Sequence, residues 1–312
     1  FLIGANGFDI DIGHTLTGTE ANLTSERISS GVSRLDTMLG GGYFRGASVL
    51  ITGFSGTAKT TLCGAFAHAA CQRGERTLFI CFDTHSTEVV RNQSSVDIQL
   101  ERHIKNGCLR MVSARVITGS EESYLVRIKA LAREHKARCV VIDPASAWSK
   151  SDSDLSSRTV ADRLIDWAKR ESLTLICTSM FDEMSRQGEG GSPLPFSALV
   201  DTWIQLNYLI QAGERNRSLS IVKSRGSSHS NQVRELILSD AGVTLADPYT
   251  AGGEVLMGTM RREKERAERA GHEAAEVAQK LKSVELDAEE AKLEARLKSL
   301  QTELTAKQVK KA

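Results

Sequence analysis

Residues 53–60 read Gly-Phe-Ser-Gly-Thr-Ala-Lys-Thr. They follow the pattern G-x-x-x-x-G-K-[ST] except at the second glycine, where Ala58 stands. A loop of this kind holds phosphate. Along Gly53, Ser55, Gly56, Thr57, Ala58 and into Thr61, backbone N–H groups converge on phosphate oxygens, and the dipole of the following helix adds positive charge. Lys59 then reaches the β- and γ-phosphates, and the Thr60 hydroxyl ligates Mg²⁺. The implied ligands are ATP, its product ADP, and Mg²⁺. Ala58 leaves the backbone open: a helical position suits alanine, whereas a positive φ distorts the loop.

Such a loop needs a strand before it and a helix after it. Ala47-Ser48-Val49-Leu50-Ile51-Thr52 reads as a buried strand, and Thr61-Leu62-Cys63-Gly64-Ala65-Phe66-Ala67 as an opening helix. Strand-like and helix-like pieces alternate from about residue 26 to 248, which predicts an α/β domain with a mostly parallel sheet. The expected strands are 47–52, 77–82, 108–112, 139–142, 173–177, 203–209 and 218–224; the expected helices are 60–73, 86–92, 121–134, 157–171 and 196–200. The apolar run Cys139-Val140-Val141-Ile142 meets Asp143. An aspartate there, downstream of the phosphate loop, positions Mg²⁺; taken alone, it also suits a helix N-cap.

The chain has 312 residues, 40% of them hydrophobic, and a net charge of +1, so it can bury a sizeable core and carries no basic field for nucleic acid. Six cysteines occur without a C-x-x-C pair, and Cys81, Cys139 and Cys177 sit in apolar runs as small hydrophobes, a pattern that suits reducing cytoplasm. No apolar run approaches the roughly eighteen residues of a membrane span.

The ends differ from the middle. Residues 1–10 resemble residues 236–245, each a short apolar strand, a polar turn with glycine at one offset, and a second alternating piece. Residues 1–25 are therefore expected to be the end of a preceding similar domain plus a linker, 26–250 the nucleotide-binding domain, and 251–312 a helical extension. Residues 261–312 contain no proline and one glycine, Gly271, and have coiled-coil composition. One seam places Ala267, Ala274, Leu281 and Ala288 at a, with Ala270, Val277, Val284 and Ala291 at d. A second, out of phase, uses Leu293, Leu297, Leu300 and Leu304, so the supercoil is expected to break near 288–293. A solvated single helix is the other reading of this stretch.

Arg27-Ile28-Ser29-Ser30-Gly31-Val32-Ser33-Arg34-Leu35-Asp36, followed by Leu39-Gly40-Gly41-Gly42-Tyr43-Phe44, resembles the segment before the phosphate loop in the KaiC family, circadian clock ATPases and autokinases with two tandem RecA-like domains in a hexamer. Val89-Val90-Arg91-Asn92, Asp201-Thr202 and Lys223-Ser224-Arg225-Gly226-Ser227-Ser228-His229 extend the resemblance, most closely to the second domain. It implies a RecA-like fold, a homo-oligomeric ring with ATP at the subunit interface, and a KaiB-like clock partner. It also implies that Lys223 and Arg225 reach a neighbour's γ-phosphate, with Ser227 and His229 beside them at the nucleotide. The tail resembles that of some bacterial relatives and could pair two rings.

Two departures bear on chemistry. Family kinases carry paired glutamates where this chain has Asp83-Thr84. Asp83 can polarise a water or hydroxyl, but it is one methylene shorter, and displacements of about an ångström cost on the order of a hundredfold in rate. The family's adjacent Ser-Thr phosphoacceptors correspond to Ser197-Ala198, leaving Ser197 as the one candidate. The expected function is a KaiC-type ATPase with weak serine autokinase activity. The alternatives are a nucleotide-gated assembly module, or a DNA-dependent RecA or RadA-type ATPase, which the near-neutral charge disfavours.

Overall fold

The structure, a computed structural model, describes residues 2–4, 7–9, 24–114, 121–147, 154–181, 195–211, 213–247, 249–251 and 254–309. Two compact units divide it, Phe1–Thr250 and Ala251–Ala312. In the first, β1 (Leu2–Gly4) and β2 (Gly7–Asp9) form a hairpin, and β3 (Arg27–Ile28) pairs with β4 (Tyr43–Phe44) around the short helix α1 (Ser33–Met38). The β1–β2 register, Gly4↔Gly7, repeats the Ser239↔Gly242 closing pair of a later hairpin, at the same offset in the two sequence-similar segments. Of residues 1–25, expected to be the end of a preceding domain plus a linker, residues 1, 5, 6 and 10–23 lie outside the described residues.

The centre is a nine-stranded sheet. Its parallel strands are β5 (Ser48–Gly53), β6 (Thr77–Cys81), β7 (Leu109–Ser113), β8 (Cys139–Asp143), β9 (Thr174–Met180) and β10 (Thr202–Gln211). An antiparallel extension adds β11 (Glu214–Ser224), β12 (Arg234–Ser239) and β13 (Gly242–Ala246). The spatial order is β13-β12-β11-β10-β5-β9-β8-β6-β7, which puts β5 inside the sheet.

Helices cover both faces. On one lie α2 (Lys59–Gln72), α3 (Ser86–Ser94) and α4 (Leu100–Lys105), against Val49, Ile51, Phe79, Val141 and Ile176. On the other lie α5 (Glu121–His135) and α6 (Asp154–Arg170), against Leu50, Leu78, Ile80, Val140 and Ile142, with α7 (Pro195–Leu199) beside α6. Val49, Leu50 and Ile51 alternate between the two cores, as side chains on a pleated strand must. Burial on both faces explains why these strands read as unbroken apolar runs. The cysteines Cys81, Cys139 and Cys177 are buried in β6, β8 and β9.

The expected strands and helices are present with shifted ends, and α1, α4 and the β3–β4 pair are additions. β11 begins four residues before the expected 218, because Glu214-Arg215-Asn216-Arg217 carries no apolar signal yet pairs along the hairpin with β10. The segment that resembles the KaiC pattern folds over α2: Gly31 has φ +87, and a Cβ there would lie 2.2 Å from the Ala65 carbonyl oxygen.

β14 (Tyr249–Ala251) pairs with β15 (Glu254–Leu256), and in the second unit α8 (Gly258–Val309) is one continuous helix. Val277, Leu281, Val284, Leu286, Leu293, Leu297 and Leu300 are all more than half exposed on it, so the helix displays its apolar positions to solvent. Leu286 stands seven residues before Leu293 and extends the second seam upstream, where it overlaps the first. Among the described residues no helix is long and apolar enough to cross a membrane.

Candidate nucleotide site

The carboxyl ends of β5, β6 and β8 open on one cleft of ≈ 470 Å³, the location expected for a ligand in an open α/β sheet. Ser55, Gly56, Ala58, Lys59, Thr60 and Thr61 form its floor, with Asp83, Asp143 and Arg217 around it. Gly53 and Thr57 lie beneath and shape the loop: a Cβ on Gly53 would meet the Leu206 carbonyl oxygen at 2.6 Å, and the Thr57 hydroxyl donates to the Phe54 carbonyl at 2.8 Å.

Ala58 has φ +78 and ψ 28, so the left-handed alternative holds at the substituted glycine. It is the N-cap of α2 and offers no side-chain hydrogen bond to the helix. Among the described residues the first N–H groups of α2 therefore have neither an intrahelical nor a side-chain capping acceptor, which suits an anion. Lys59 is buried, and its Nζ donates to the Gly53 and Phe54 carbonyl oxygens, each at 2.8 Å. Burial pulls its pKa down, opposed chiefly by the charge of Asp143.

Asp143 ends β8 as a strand residue, not as a helix cap. Burial raises its pKa, while hydrogen bonds from the Thr178 and Thr60 hydroxyls and the charge of Lys59 pull the other way. Thr60 and Asp143 thus meet at the cleft. One hydroxyl and one buried carboxylate beside a phosphate cradle fit Mg²⁺, which completes its shell with water and phosphate oxygens and needs no dedicated protein cage. Asp83 is exposed on the wall, two residues beyond β6.

Lys223, Arg225, Ser227, His229 and Ser197 are not among the residues lining this cleft. Lys223 Nζ donates to the carbonyl oxygens of Ser197 (2.9 Å) and Ala198 (3.3 Å), and Arg225 donates to Ala198 (2.9 Å). Burial and the neighbouring Arg225 lower the pKa of Lys223. Ser197 is itself buried on α7. The Ser227 hydroxyl donates to the Leu39 carbonyl at 2.6 Å, and the His229 Nδ1 lies 3.4 Å from the Ser227 carbonyl oxygen. Asp201 accepts from Ser48 and Lys169, which hold its carboxyl below the usual range against the effect of burial.

Position along the β10–β11 hairpin and a register shift explain this separation: Lys223 lies level with Leu50, before the loop, whereas Arg217 pairs with Tyr208, two residues beyond the partner of Gly53. Ile221 pairs with Ile204, but Lys223 pairs with Trp203, leaving Val222 as an extra residue. Up to Ile221 the alternation puts Arg217, Leu219 and Ile221 on the α2 face. The bulge turns Lys223 to the opposite face, with Trp203.

The sequence reading did not single out Arg217, Tyr208 or Gln93. Arg217 Nε donates to the Gly56 carbonyl at 3.0 Å, and the Tyr208 hydroxyl donates to Ser55 at 3.3 Å, so the hairpin clasps the loop. Arg215 stacks 3.6 Å from the centre of the Tyr208 ring. Strand parity to Leu219 could have placed Arg217, given the start of β11.

A phosphate loop between an interior parallel strand and its helix, with an aspartate at the end of a nearby parallel strand, defines a P-loop nucleotide-binding domain of RecA type. Residues 28–249 match the family model described as "ATPase: KaiC". The chain belongs to the KaiC ATPase family. It is 38% identical over 84% of its length to "Circadian clock protein KaiC2" of Synechocystis sp.. It is 32% identical over 76% to "Circadian clock oscillator protein KaiC" of Thermostichus vulcanus, and 31% over 76% to the protein of that name from Synechococcus elongatus. The matches take in 45–46% of those relatives, so the chain spans about half their length.

Proposed function

We propose that this chain binds ATP with Mg²⁺ and hydrolyses it at the interfaces of a homo-oligomeric ring, with six subunits as in the family it resembles. The convergence of Lys59, Thr60 and Asp143 on one cleft carries this reading. An entering phosphate replaces the Gly53 and Phe54 carbonyls as the partner of Lys59 and takes up the free N–H groups of α2. Thr60 and Asp143 hold the metal, which when bound neutralises charge on the β- and γ-phosphate oxygens. Asp83 polarises the attacking water from the wall. Lys223 and Arg225 face away from their own cleft and serve the γ-phosphate of a neighbour, with Ser227 and His229 alongside.

The test is complementation. Asp83→Ala and Arg225→Ala should each abolish most turnover. Mixed in equal amounts, they should recover about a quarter of wild-type turnover, because one interface in four pairs an intact cleft with an intact arginine. Assembled mixed rings without recovery would contradict the trans role.

In the same proposal Ser197 is the sole phosphoacceptor and α8 pairs rings through its exposed seam. A clock role is supported by the names of the relatives, and the family resemblance implies a KaiB-like partner; a stable complex on gel filtration in Mg-ATP tests it. A second reading, ATP as glue between subunits with negligible turnover, draws on the burial of Ser197 and the short carboxylate of Asp83. Retained ATP with neither ADP nor phosphoserine after incubation selects that reading.

A further inference from the structure

Gln93 is 2% exposed, yet it belongs to the wall of the nucleotide cleft. Its Nε2 donates to the Thr60 carbonyl at 2.7 Å, while its Oε1 has no partner among the described residues. Reversing the amide would set two oxygens against each other, so chemistry dictates its orientation. The contact has a second requirement on α2. A Cβ on Gly64 would lie 2.4 Å from Gln93 Cδ and 2.5 Å from both amide heteroatoms. Gly64 is not among the positive-φ glycines and sits inside a regular helix, where alanine is the better residue.

Two unfavourable choices therefore meet at one contact: a buried acceptor left unpaired and a glycine within a helix. Methionine against alanine would fill the same space with neither. What the glutamine adds is a second donor on the carbonyl of Thr60, beyond the N–H that helix geometry supplies from Gly64. Thr60 is the residue whose hydroxyl meets Asp143. Gln93 reaches it from α3, whose Val89 and Asn92 also line the cleft.

We infer that Gln93 is a positioning residue: through the Thr60 carbonyl it holds the Thr60 hydroxyl in its metal-binding pose and ties the cleft wall to the phosphate-loop helix. This rests on the proposed role of Thr60 as a Mg²⁺ ligand.

The experiment titrates the whole chain with a fluorescent ADP analogue at graded Mg²⁺ and in EDTA, with melts of nucleotide-free protein in parallel. Thr60→Ala is the reference and loses the Mg²⁺ enhancement of binding. Gln93→Met raises the Mg²⁺ half-saturation about five- to tenfold, while the Kd in EDTA moves less than about twofold. Gly64→Ala displaces the amide and shifts the Mg²⁺ response in the same direction. In Gly64→Ala/Gln93→Ala the new methyl occupies part of the vacated space, so the melting temperature recovers but the Mg²⁺ response does not. A wild-type Mg²⁺ response in Gln93→Met, with Thr60→Ala impaired, overturns the inference. So does a double variant that regains both properties, which would assign the contact to packing. If Thr60→Ala keeps the enhancement, the metal role of Thr60 falls and the inference with it, on a separately readable arm.

Discussion

Replacing Ala58 with glycine restores the residue that the loop's backbone requires, and the structure sets the size of the effect. At φ +78 an alanine Cβ crowds the following carbonyl, at a cost of about 1–2 kcal/mol. Glycine removes that crowding but leaves the unfolded chain freer, which returns about 0.4–1 kcal/mol. The net expectation is stabilisation by about 0.5–1 kcal/mol, or a melting temperature roughly 1–4 °C higher in a domain of this size. The assay is calorimetry or dye-monitored melting of nucleotide-free protein at one fixed scan rate, with Ala58→Val in parallel. Valine is β-branched and should lower the melting temperature, because its side chain fits the left-handed region worst. ADP affinity should stay equal or tighten in Ala58→Gly, since Ala58 lines the cleft and the change removes a methyl group from its floor. A lower melting temperature for glycine, with valine tolerated, would refute the left-handed assignment and the reasoning built on it.

Asp143→Asn should raise the melting temperature of nucleotide-free protein at pH 8 and abolish the Mg²⁺ response. Burial lifts the folded pKa of Asp143 above its unfolded value, so the folded state holds the extra proton between the two. The wild-type protein's stability from this group is therefore present at low pH and lost as pH rises through the folded pKa. The variant's advantage should shrink as the pH falls through that same window; an advantage independent of pH would contradict it. Removing residues 261–312 should reduce light-scattering mass to that of one ring, because it deletes the exposed Val277, Leu281, Leu293, Leu297 and Leu300. Unchanged mass would mean that α8 does not join rings.

Much of the fold and part of the site were legible along the chain. Val49, Leu50 and Ile51 are buried on both faces of a central strand, so their apolarity is continuous, and the loop that follows carries its chemistry in eight consecutive residues. Asp143 was legible as a terminus of an apolar run, although only the structure shows its carboxylate hydrogen-bonded to Thr60 and Thr178 beside the phosphate loop. The first half of β11 was hidden because its polar residues satisfy the hairpin ladder without facing a core. Gln93 carries no motif at all: its role arises from the crossing of α3 over Gly64, thirty-three residues from Thr60 in sequence but 2.7 Å away in space.

By itself, then, the sequence determined the class of chemistry and the order of elements, since a phosphate loop and the periods of strand and helix are local properties. The tertiary structure decided which way the chemistry points. Plain strand parity puts Lys223 on the same face as Arg217, six residues further along the strand and level with Leu50. The extra residue at Val222 turns Lys223 to the other face, where it and Arg225 bind the carbonyl end of α7. A bulge is set by how two strands register against each other, and no residue pattern within β11 alone announces it.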